Sequence, residues 1–85
     1  MIIKYFSIYD KKAVQFGPVF SSHTPGSAER SFRDAMTNPD APYGKYPDDF
    51  ALYEIFEFDD EKGIIVSTHE PPLLLVEGHA LVNLQ

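Results

Sequence analysis

Between Tyr46 and Gly63 the chain reads Tyr-Pro-Asp-Asp-Phe-Ala-Leu-Tyr-Glu-Ile-Phe-Glu-Phe-Asp-Asp-Glu-Lys-Gly. No other segment constrains the fold as much. Residues 50–58 are dense in aromatic and branched side chains, which suit a pleated, half-buried strand. Pro47 and two aspartates open the segment, and Asp59-Asp60-Glu61-Lys62-Gly63 closes it with turn chemistry. Ile64-Ile65-Val66 then starts a second strand over 63–68. In the first of these strands regular alternation places Phe50, Leu52, Phe56 and Phe58 on one face, with Tyr53 and Ile55 on the other.

Upstream, Ile2 to Tyr9 also alternates, with Ile2, Lys4, Phe6 and Ile8 opposite Ile3, Tyr5, Ser7 and Tyr9. Both faces are largely apolar, which predicts a strand covered on both sides. Asp10-Lys11-Lys12 reads as a turn. Ala13 to Phe20 is a weaker strand, interrupted by Gly17-Pro18 and therefore at an edge or irregular. Thr24-Pro25 supplies an N-cap and a first helical residue. Ala28, Phe32, Ala35 and Met36 then form one apolar helical stripe. Glu29–Arg33 and Arg30–Asp34 are i, i+4 pairs on the solvent side. Asn38-Pro39 ends the helix. Residues 40–49 read as a loop, Pro71-Pro72 breaks the last strand, and the tail from Leu73 reads as a short strand or a short helix around Glu77-Gly78.

The order is β-β-α-β-β plus a tail. It predicts an α+β fold, a small antiparallel sheet of about three to four strands with one helix packed on one face. Eighty-five residues make one domain over 1–85, with a core over 1–69 and an apolar tail over 70–85. One helix covers one sheet face, so the second apolar face needs the tail, a second copy or a partner over it. This predicts a homodimer, with Tyr53, Ile55, Leu73 and Leu75 as candidate interface residues.

Charge and cysteine content narrow the function. Thirteen acids against seven bases give a net charge of −6, so the chain as a whole repels a phosphate backbone. Cysteine is absent, which fits a reducing cytoplasm and excludes a disulfide scaffold. The longest apolar run, Leu73-Leu74-Leu75-Val76, is far below the roughly 20 residues of a membrane span, and the N-terminus lacks the layout of a signal peptide. No membrane partner is expected.

The residues also argue against catalysis. His23, His69 and His79 have no ligand spacing among themselves, and no cysteine completes a zinc set. Asp59-Asp60-Glu61 meets Gly63 too soon for a calcium loop. Glu54 and Glu57, three apart in a strand, are expected on opposite faces and not as a carboxylate pair. Ser21, Ser22, Ser27, Ser31 and Ser67 lie in no nucleophile elbow, and the glycines form no phosphate loop. The expectation is a non-enzyme without cofactor or metal. A candidate nucleic-acid surface remains: Lys4, Lys11, Lys12, Arg30, Arg33 and Lys45, interleaved with tyrosines that include Tyr43 and Tyr46. Single-strand binders stack bases on aromatic rings beside cations in this way.

Three stretches carry a family resemblance. Ile3-Lys4-Tyr5-Phe6-Ser7-Ile8-Tyr9-Asp10 forms an aliphatic-aromatic first strand ending in Tyr-Asp. Thr24-Pro25-Gly26-Ser27-Ala28-Glu29-Arg30-Ser31-Phe32 forms a helix start. Pro47-Asp48-Asp49-Phe50-Ala51-Leu52-Tyr53-Glu54-Ile55 is followed by Phe58-Asp59 and Gly63. In this order and spacing the chain resembles the small nonstructural protein of gokushovirus-type microviruses, the small single-stranded DNA phages. The likeness spans most of 3–65; the tail from Glu70 is longer and more apolar than the family pattern.

The resemblance implies a replication-phase role in the host bacterial cytoplasm, favouring the switch from double-stranded replication to single-stranded genome synthesis and packaging. It assigns no catalytic residue. Two modes of action follow. One is a DNA-associated action, by binding single-stranded DNA or the replication complex at the origin. The other is an acidic interaction module that binds a host or phage replication protein.

Overall fold

The computed structural model describes residues 1–38, 40 and 42–82. Five strands form one antiparallel sheet: β1 (Ile2–Asp10), β2 (Gln15–Phe16), β3 (Phe20–Ser22), β4 (Phe50–Asp59) and β5 (Ile64–Glu77). The order is β2-β1-β4-β5, with β3 also on β1, so the sheet curls around its first strand. The weak segment after the first turn is indeed irregular and at an edge. It splits into β2 and β3 around Gly17-Pro18, and both halves pair with β1.

Helix α1 (Pro25–Thr37) begins where the sequence places it. The Thr24 side chain accepts a hydrogen bond from the Ser27 amide at 3.1 Å, and Pro25 is the first helical residue. Ala28, Phe32 and Met36 are buried and pack on Phe6, Phe50 and Leu52, with Ile8, Phe20, Ala35 and Tyr43 around them. Neither Glu29–Arg33 nor Arg30–Asp34 closes to ion-pair distance among the described residues. The expected role of Pro39 in ending the helix, and of 83–85 in the tail, lies outside the described residues.

The fold differs from the expected one-helix sandwich in three places. The presumed loop 40–49 holds α2 (Pro42–Lys45) and a 3-10 turn (Pro47–Asp49). The tail folds as both alternatives in succession, with β5 continuing to Glu77 and α3 (Gly78–Val82) following. Pro71-Pro72 does not end the strand. Thr68 pairs with Phe56 and Leu73 pairs with Glu54, so residues 69–72 detour past the ladder. Prolines there cost no ladder hydrogen bond.

The third difference decides the site. Ile55 has no partner on either side of β4: Glu54 pairs with Phe6 and Leu73, and Phe56 pairs with Tyr5 and Thr68. This is a β-bulge, one extra residue that inverts the side-chain alternation beyond it. Phe56 and Phe58 therefore leave the Phe50/Leu52 face and join Tyr53. Phe56 stacks on Tyr5 at 4.7 Å between centroids, and Phe58 meets the same ring edge-on at 6.2 Å.

Candidate functional site

The bulge gathers a polar cluster on the helix side of the sheet. Lys4 of β1 donates from Nζ to Glu57 Oε1 at 2.7 Å, and Glu54 Oε2 lies 3.7 Å from the same ammonium. His69, on the detour in β5, brings Nε2 to 2.5 Å from Glu54 Oε2. Two carboxylates expected on opposite faces thus share one lysine, because the extra residue at Ile55 restores them to one side. A histidine expected in isolation joins them through the Pro71-Pro72 detour. Neither irregularity leaves a signature in residue spacing.

The cluster is internally paired. The Glu54 side chain is only 4% exposed, and a buried carboxylate is tolerated when it is paired and hydrogen-bonded. The hydrogen bond from Lys4 holds the Glu57 carboxyl below its ordinary range. The same bond, with the Glu54 charge beside it, raises the Lys4 ammonium above its own. Ligand atoms of Glu54, Glu57 and His69 lie within 4.8 Å of one another, a donor set of the kind divalent ions use. Lys4 already places one ammonium against both carboxylates at that point.

The nominated basic and aromatic residues do not form one surface. Lys4 belongs to the polar cluster. Lys11 lies one residue past the end of β1, about 20 Å from Lys4 at strand rise. There its side chain is ion-paired with Glu77 of β5 and its amide donates to Asp49 O at 2.8 Å. Lys12 and Tyr46 do come together, lining an open depression of about 460 Å³ with Asp10, Asp49 and Phe50. Tyr46 is 62% exposed. Tyr43 instead packs edge-on against Phe50 at 4.7 Å, in the core. Arg30 and Arg33 are exposed along α1, and Lys45 is exposed at the end of α2.

The side of the sheet away from α1 carries Tyr53, as the alternation predicts. Its register partner on β5 is Leu74; Leu73 pairs with buried Glu54, and Leu75 packs against the core. The nominated Leu73 and Leu75 therefore sit on the other side, since a bulge around Leu75 shifts β5 by one residue.

These features define a small acidic α+β domain with an internal ion network and an open aromatic sheet face. Residues 3–81 match the family of phage ORF5 proteins, and the chain belongs to that family. Protein ORF5 of Chlamydia phage 1, a gokushovirus-type microvirus, is 40% identical over 63 residues, covering 69% of this chain. The match spans 66% of that relative, just under two thirds of its length. The resemblance drawn from the three sequence stretches is therefore shown. No solved structure matches the fold.

Proposed function

We propose that this phage protein acts in viral DNA replication in the cytoplasm of the infected bacterium, without catalysis of its own. It favours the switch from double-stranded replication to single-stranded genome synthesis by contacting a replication protein. One observation carries this choice over direct DNA binding. Lys4 and Lys11, two of the six nominated cations, are ion-paired with Glu57 and Glu77, on a chain already at −6. Contact with phosphate would first have to break those pairs, and counterion release by the remaining cations yields little.

A second reading keeps direct contact with single-stranded DNA at the other end of the molecule. Lys12 and exposed Tyr46 line one depression, a cation beside a ring free to stack on a base. A pull-down from infected cells, with and without nuclease, separates the two. Protein-mediated action predicts a replication protein retained after nuclease, and no gel shift with single-stranded DNA at about 50 mM salt. A shift that is lost in Lys12→Glu and in Tyr46→Ala overturns the protein-contact reading.

A further inference from the structure

The sheet face opposite α1 is rich in rings and almost free of charge. Tyr5, Tyr53, Phe56 and Phe58 lie on it in register, with Phe16 from β2 at one end and Leu74 from β5 beside Tyr53. The rings support one another: Tyr9 meets Phe16 at 4.6 Å, and Phe16 meets Tyr53 at 5.4 Å. The buried core packs α1 on the other side of the sheet. Phe16 is left 39% exposed, Leu74 46% and Ile65, also in register, 57%. Twenty charged residues are distributed over this chain, thirteen acids and seven bases. In register on this face there is Glu77 alone, at its end and ion-paired with Lys11.

We infer that this face is buried against the same face of a second copy of the chain, related by a two-fold axis. The charge pattern selects the occupant. A DNA strand would stack on the rings, but no Lys or Arg stands in register to meet its phosphates. An uncharged, aromatic patch is instead the composition of a protein interface core, and a neutral face presented to itself brings no like charges together. The area is adequate. The molecule measures 40 × 23 × 20 Å, so its sheet face spans on the order of 800 Å², what each partner buries in an interface of standard size. An isologous contact also closes on itself and stops at two chains. This inference does not rest on the replication reading.

Sedimentation equilibrium of the full chain, up to about 100 µM, tests it. The expected mass is twice the 9.6 kDa of one chain. Phe16→Lys combined with Leu74→Lys should raise the dimer dissociation constant by roughly tenfold or more, because charge enters the interface core. Asp34→Lys, on the exposed side of α1, should leave it unchanged. Both substituted face positions are partly exposed in the single chain, and circular dichroism checks that the variant folds. Iodide quenching of tyrosine fluorescence in the unmodified chain should weaken as concentration rises, since Tyr5, Tyr9 and Tyr53 become covered. A monomer at every concentration overturns the inference, as does a dimer indifferent to the paired lysines. If that monomer's tyrosines are quenched by an oligothymidine strand, and still are in Tyr46→Ala, the face belongs to DNA.

Discussion

Lys4 shows how one residue can serve a structure in a way its neighbours in sequence do not suggest. In the chain it is the one cation of an apolar strand and looks like a phosphate ligand. In the fold it pairs with two carboxylates brought to it by the bulge in β4. The pair with Glu57 fixes a pH dependence. The Glu57 carboxyl titrates below its ordinary 4.5 in the folded chain. Its contribution is therefore complete above about pH 4.5 and lost as pH falls through the lower folded value. Glu57→Gln should cost about 1 kcal/mol near neutral pH, a modest figure because solvent reaches both partners. In urea melts the gap to the unmodified chain should be constant from about pH 5 to 7 and close as pH falls through the lowered folded value. A gap independent of pH would mean that the stabilisation is not electrostatic.

Glycine makes a residue-level choice visible at the scale of elements. Gly63 adopts φ 70° in the acidic turn between β4 and β5, a conformation that other residues adopt at a cost, and the turn is readable from sequence for that reason. Gly78 has a different role. A Cβ there would lie 2.3 Å from Pro47 O and 2.9 Å from Phe50 O, so α3 can seat on the 3-10 turn and the start of β4 only with glycine. Gly78→Ala should destabilise by about 1–3 kcal/mol through overpacking, read as a lowered melting temperature. An unchanged melt would show that α3 docks less closely than this.

Elements governed by local chemistry were legible. Thr24-Pro25 marks the start of α1, its apolar stripe names Ala28, Phe32 and Met36, and the hairpin of β4 and β5 follows from the alternating aromatics and Gly63. Both unread features are irregularities of pairing. The bulge at Ile55 and the detour at 69–72 depend on how neighbouring strands align, which spacing within one strand does not encode. The expected separation of Glu54 from Glu57 failed for this reason, and the separate bulge around Leu75 moved Leu73 and Leu75 in the same way.

At the scale of the molecule, β1 and β4 form the rigid centre. Each is bonded along both edges, whereas β5 has β4 on one side only. Hydrogen exchange should therefore be slowest in β1 and β4, and faster in the outward-facing amides of 64–68. Uniform protection across all strands would contradict this order. Among the described residues no helix is long and apolar enough to cross a membrane.

What the sequence determined by itself was the set of elements that local chemistry specifies: caps, turns, one amphipathic helix, alternating strands, the family and an acidic charge balance. The tertiary structure alone decided which side chains meet. A single extra residue in β4 exchanges the faces of everything beyond it, so the meeting of Lys4, Glu54 and Glu57 and the continuous aromatic face come from one event, and the detour at 69–72 adds His69 to the network. The physical reason is the two-residue period of a strand. A local pattern states the alternation, and only pairing with neighbours fixes its phase.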